Sequence, residues 1–326
     1  MDNKQILRKL RHEFSTSSWI LLLQYGFMNF AVLLACGLDL LFYLIGSMAA
    51  GKGQNVDFLV YFSESLMRNG WGYILAIAFG MATLLIWKKP SFFAKELLAR
   101  GKKMTPGAFF SLTAIFLGLQ ALVQVLSVGM EWFLNLFGLS LVDSMSVATD
   151  TGSTLSMFLY AALLGPIWEE VLFRGAILRS LQPYGKKFSI LASAFLFGMF
   201  HGNVIQTPFA FGVGLVLGYV TVEYSVIWAV VLHLINNLLL ADVMGRISAI
   251  LPAGVGDLIS IALIWGCFIA AVIVLIVKRK DLIAYFKSGK IHPLCLKGFF
   301  TAPGTVVLTI FMAGTILFTL IMPLFA

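Results

Sequence analysis

Apolar residues run through this chain in stretches of about twenty, the length a helix needs to cross the hydrocarbon core of a bilayer. Short polar or basic segments separate them. Nine stretches are candidate spans: 18–48, 71–87, 107–130, 152–181, 188–203, 207–223, 226–243, 257–277 and 303–325. A spanning segment must satisfy its backbone N–H and C=O groups within itself, which a helix does. Composition agrees. The chain is 60% hydrophobic and 12% charged, with mean hydropathy +0.94, whereas soluble domains sit near 45–50% and about 25%. The expected fold is all-α: a polytopic transmembrane helix bundle of about eight to nine spans. It forms one continuous membrane domain, with N-terminal membrane helices (1–106), a central bundle (107–243) and C-terminal membrane helices (244–326). The first and fourth stretches are long enough to tilt or bend. The fifth to seventh are short, as suits helices packed inside a bundle. Residues 131–142 either extend the third span or lie along the interface.

Charge placement tests this division. With the N-terminus inside, nineteen of the 23 lysines and arginines fall on inside segments and only Lys52, Arg68 and Arg246 on outside ones; Arg174 lies within a span. Basic residues mark cytoplasmic loops, so the net charge of +8 reflects membrane topology and implies no nucleic-acid partner. The expected location is a bacterial plasma membrane, multi-pass, with the N-terminus cytoplasmic. One connection, Glu223 to Ser225, should be cytoplasmic yet holds no basic residue. Cys36, Cys267 and Cys295 are odd in number and widely spaced, which gives neither a disulfide framework nor a thiolate metal site. Leu33 to Cys36 loosely matches a lipoprotein cleavage box, but the apolar run continues past the cysteine, and a signal-anchor first helix is the better reading.

Polar clusters interrupt the apolar spans. Glu169, Glu170 and Arg174 lie in PIWEEVLFRG, His201 in FLFGMFHG, and His233 with Asn237 in VVLHLINNLLL. An ionised group at the bilayer centre costs roughly 2.5 kcal/mol or more on insertion scales, so a shared polar cavity is the economical explanation. At 1.5 Å per residue, Glu169 and His201 each lie roughly 20 Å from the basic ends of their spans, and His233 and Asn237 roughly 12 and 18 Å. Glu170 and Arg174, at i,i+4, stack on one helix face and can pair. Glu169 then points about 100° away as the free carboxylate, unless it serves Arg174 as a second partner. Pro166 removes a backbone hydrogen bond and should bend the span and admit water. His233 and Asn237 share a face; Asn236 is only about 60° off it, so spacing does not choose between the asparagines. Gln120 and Gln124 could line the cavity but read more readily as packing contacts. Asp39 is isolated and carries no evident role.

The order Glu-Glu-x-x-x-Arg (Glu169, Glu170, Arg174), Phe-x-x-x-His (Phe197, His201) and His-x-x-x-Asn (His233, Asn237) resembles the CPBP intramembrane proteases. That family includes the type II CAAX prenyl endopeptidases and bacterial proteins linked to bacteriocin processing or self-immunity. The resemblance covers roughly residues 107–243. It implies an intramembrane endopeptidase acting on a membrane-associated or lipidated peptide or protein, with a prenylated substrate and membrane lipid among its expected partners. It implies Glu169 as general base on a water, helped by His201, with His233 and Asn237 holding the oxyanion. Glu170, Arg174 and Phe197 are then structural support. An amide and an imidazole N–H suit that role, at about 3–4 kcal/mol per donor. A zinc version would use Glu169, His201 and His233 as ligands. The chain has no HExxH or HxxEH, and Asn237 is a poor zinc ligand, so the metal-free version with no cofactor is preferred. The rivals are a non-catalytic immunity or scaffold protein, and a transporter. Transport ranks last, because no internal repeat accompanies the one bent span.

Overall fold

The computed structural model describes residues 2–50, 57–141, 154–252 and 254–321, and every element among them is helical. Lys52, residue 142 and the expected span ends 152–153 and 322–325 lie outside the described residues. In chain order the helices are α1 (Asn3–Ala49), α2 (Phe58–Arg68), α3 (Trp71–Trp87), α4 (Pro106–Asn135) and α5 (Leu155–Tyr184). Then come α6 (Lys186–Phe200), α7 (Gln206–Glu223), α8 (Val226–Ser248), α9 (Val255–Val277), α10 (Arg279–Lys287), α11 (Pro293–Phe300) and α12 (Pro303–Ile321). Their starts are written in the sequence. Thr105 caps α4 by accepting from Ala108 N at 3.2 Å with Pro106 in the first turn, and Ser225 caps α8 by accepting from Trp228 N at 3.4 Å. Proline lacks the N–H that a first turn leaves unsatisfied, and a hydroxyl supplies the missing acceptor.

Each expected span meets a helix, but two of these helices are not among those long and apolar enough to cross. Six helices (α1, α4, α5, α8, α9, α12) are long and apolar enough to span a membrane, or seven if α2 and α3, bent by 56° at their junction, count as one span. The expected fifth and sixth spans, α6 and α7, fall short for a reason that α1 makes visible. At one end of the bundle, Ser15 and Ser18 of α1 meet Gly304 (3.2 Å) and Thr305 (3.0 Å) at the start of α12. At the other, the Ala35 carbonyl takes the Asn69 amide at 3.4 Å, beside the start of α3. From residue 15 to residue 35 a helix rises about 30 Å, the thickness of the hydrocarbon core. On the same scale Phe188 of α6 packs against Phe14 (5.1 Å) and Phe200 against Tyr25 (6.0 Å). The α6–α7 hairpin therefore enters from the basic end and turns back near mid-depth.

Its turn and its tightness follow from a few residues. Gly202 takes φ 57, a left-handed conformation that glycine adopts without strain. The Asn203 side chain accepts from the Ile205 and Gln206 amides at 2.9 and 3.1 Å, closing the turn. A Cβ on Gly198 would sit 2.8 Å from the Thr207 carbonyl oxygen, so only glycine lets the two helices approach this closely.

The basic end is stitched together. Lys102 and Lys186 reach the Glu223 carboxylate at 2.7 and 3.3 Å. The connection that lacks its own basic residue thus borrows two from neighbouring loops. Burial alone would push the Glu223 carboxyl up, but the hydrogen bonds and charges of the two lysines outweigh it and hold the group below the usual glutamate range. Arg11 bonds Thr301 at 2.8 Å, and Lys187 bonds the Phe286 and Gly289 carbonyls at 2.9 and 2.8 Å. At the opposite end Asp39 is not isolated: it accepts from Ser65 (2.7 Å) and Arg68 (3.4 Å) and so ties α2 to α1. Helix α4 does extend the third span, to Asn135, and Glu131 then accepts from Leu141 N at 2.6 Å.

Candidate active site

Helix α5 changes its winding around the acidic pair. Leu159–Leu164 and Glu170–Leu178 are π-helical, with Gly165–Glu169 α-helical between them, and α8 becomes π-helical at Asn237–Val243. Pro166 lies in the α-helical segment between the two π stretches, within a span that runs unbroken over 30 residues. Wide turns of this kind often occur at functional sites, because they re-aim side chains relative to a regular helix.

Glu170 and Arg174 are fully buried and pair at 2.9 Å, as the spacing indicates. The same Glu170 oxygen takes the His233 Nδ1 at 2.9 Å. On the other edge of that ring, His233 Nε2 lies 3.8 Å from the Glu169 carboxylate. The two neighbouring acids therefore clasp one imidazole from opposite sides. They differ in environment: the Glu170 side chain is 0% exposed and that of Glu169 is 25% exposed. Glu170 is committed to Arg174 and His233, whereas Glu169 is the acid that can meet a substrate. The ion pair of Arg174 goes to Glu170, so Glu169 as its second hydrogen-bonded partner is not what is seen.

Phe197 joins the cluster physically. The Arg174 guanidinium lies 4.0 Å from its ring centroid, and the ring meets His201 edge-on at 4.8 Å and His233 at 6.1 Å. Among the described residues, Arg174 Nε and Nη2 and Glu170 Oε2 find no hydrogen-bond partner; the aromatic face is what receives the rest of the cation. His201 donates from Nδ1 to the Phe197 carbonyl at 2.8 Å, because a carbonyl only accepts. Both imidazoles thus spend Nδ1 on a fixed partner and leave Nε2 for chemistry.

The asparagine question resolves into a chain. Gln120 on α4 donates to Asn236 Oδ1 at 3.1 Å, Asn236 donates to Asn237 Oδ1 at 3.0 Å, and Asn237 donates to the Ala161 carbonyl at 2.9 Å. Asn237 keeps a second amide hydrogen. Gln120 is thus a partner within the site, where packing was the preferred reading. The Ala161 carbonyl carries no side-chain signal in the sequence, and only the fold reveals it.

The donor types would suit zinc, since both histidines have an anchored Nδ1. Their placement does not: among the described residues no three His, Cys, Asp or Glu side chains are grouped to hold one ion.

A helical membrane bundle with a carboxylate–imidazole cluster near mid-depth defines a class of membrane protein equipped for acid–base chemistry. Residues 151–239, the segment carrying the cluster, match the family described as type II CAAX prenyl endopeptidase Rce1-like. The chain is also 25% identical over 225 residues to a Bacillus subtilis (strain 168) protein named "Putative membrane peptidase YdiL", an alignment covering 67% of this chain and 85% of that protein. No solved structure matches the chain. The two matches support the CPBP family, and with it a peptidase.

Proposed function

We propose that the chain is an intramembrane endopeptidase that hydrolyses a peptide bond with a water activated by Glu169. The observation that carries this reading is the division of labour between the two acids, with Glu170 consumed in holding His233 and Glu169 free at the ring's other edge. Glu169 takes a proton from water, and the resulting hydroxide attacks the carbonyl carbon. The proton can pass to His233 Nε2, 3.8 Å away. A protonated Nε2 and the spare amide hydrogen of Asn237 donate to the oxyanion, and a proton then reaches the departing amine. His201 offers its free Nε2 to the same water. Such acid–base assistance is worth about 10²–10⁴-fold.

The substrate is a membrane-associated peptide or protein, and the N-terminus faces the cytoplasm of a bacterial cell, as the charge sorting supports. Glu169→Gln and His201→Ala tests the reading: each should lower peptide cleavage by about 10²-fold or more while the melting temperature in detergent changes little. Cleavage should also persist under chelation. Unchanged cleavage in Glu169→Gln would remove Glu169 as the base, and a folded wild type that cleaves no peptide would return the scaffold reading. Stoichiometric zinc whose removal abolishes activity would replace the metal-free route.

A further inference from the structure

The half-depth hairpin has a consequence for where substrate enters. In the basic half of the bundle, α7 packs on α4 and α6 packs on α12, so the hairpin fills the space between α4 and α12. Gly202 at its tip lies level with Met312 and Thr315 of α12, where a Cβ would stand 3.5 Å from the Thr315 side chain. Beyond the tip the hairpin ends, but its neighbours continue. Helix α12 runs from Thr315 on to Ile321, about 9 Å further, and α4 runs from Leu119, beside Gly212 of α7, on to Asn135, about 24 Å further at 1.5 Å per residue.

Among the described residues, the faces that the hairpin covers lower down are uncovered above it. Leu119 of α4 stands 3.8 Å from the position of a Cβ on Gly212 of α7, yet Leu126, on the same stripe two turns on, is 53% exposed. On α12, Leu308 and Met312 are 0% exposed, while Thr319 on that stripe is exposed. Gln124 is the most telling residue. It lies one turn beyond the Gln120–Asn236 bond, near mid-bilayer depth, and its side chain is exposed. An amide turned to lipid is costly. A side-chain amide can instead pair with both an N–H and a C=O of an extended backbone.

We infer that substrate reaches the site through an opening between α4 and α12 above the α6–α7 tip, from the membrane face opposite the basic loops. The occupant is an extended stretch of a membrane-anchored peptide or protein, unwound in that half of the bilayer, with Gln124 and Thr319 at the edges of its path. The role of the opening as a substrate path rests on the peptidase reading above; its sidedness does not.

The test is thiol accessibility in sealed vesicles of both orientations, with the basic face identified by an N-terminal tag. Gln124→Cys and Thr319→Cys are each introduced into the full chain, and the unmodified chain, with Cys36, Cys267 and Cys295, serves as the blank. A charged, membrane-impermeant maleimide should label both variants at least tenfold faster from the face opposite the basic loops. Labelling mainly from the basic face, or from neither face, would overturn the inference. Labelling does not require proteolysis, so the access route and the catalytic assignment can fail separately.

Discussion

Glu169 and Glu170 are adjacent in the chain yet meet opposite edges of one imidazole, and their chemistry diverges because their surroundings do. Glu170 and Arg174 form a fully buried ion pair. Removing one member strands the other, at about 3–5 kcal/mol for a buried pair. Arg174→Met should therefore lower stability in detergent by an amount of that order, and adding Glu170→Gln should recover part of it; a double variant as unstable as the sum would refute the pairing. The Gln120–Asn236–Asn237 chain makes a different kind of prediction. Gln120 is a positioning residue, and losing one hydrogen bond of about 1 kcal/mol should lower kcat about fivefold in Gln120→Leu with KM nearly unchanged. A raised KM with kcat unchanged would mean that Gln120 acts on substrate binding. At this scale the sequence was highly legible for the Glu170–Arg174 pair, because i,i+4 spacing survives the widened turn. It was silent on Asn237 and Ala161, because that contact joins side chain to backbone across two helices.

Among the elements, the apolar pattern located the membrane part of each main helix, although α1 begins at Asn3, well before the expected 18, because its basic first turns continue the helix beyond the apolar run. Hydropathy could not separate a crossing helix from a half-depth one, since α6 and α7 are apolar whichever depth they reach. What limits them is the turn at Gly202 and Asn203 and the packing at Gly198. Pro166 signals a local irregularity through its missing N–H, and the winding does change on either side of it, to π turns that no hydropathy pattern announces. Helices α2 and α10 escaped notice because they are short and not apolar enough to read as spans. The hairpin's tightness is open to test. Gly198→Ala places a Cβ 2.8 Å from the Thr207 carbonyl oxygen, which forces a backbone shift of the kind that costs about 1–3 kcal/mol. The tip carries His201, so the melting temperature and the cleavage rate should fall together. A variant that melts lower but cleaves at the wild-type rate would show that His201 does not depend on this contact.

For the whole molecule, the two ends of the bundle are built differently. Nineteen lysines and arginines sorted to one side gave the topology its first support, and the structure gives several of them a second task, tying loops together at the end where the hairpin enters. Glu223 is the clearest case, with Lys102 and Lys186 on one carboxylate that is 8% exposed. Its folded-state pKa lies below its ordinary value, so the sign is fixed. The carboxylate stabilises the fold at pH above the ordinary glutamate value of about 4.3, and that contribution is lost as pH falls through the lower folded value. Glu223→Gln should thus melt below the wild type at neutral pH, and the gap should narrow as pH drops below about 4.3. Other carboxylates titrate in both proteins, so the difference between the two curves isolates this one. A gap that stays constant with pH would mean that the loops are held by packing, with the lysines contributing only their charge toward topology.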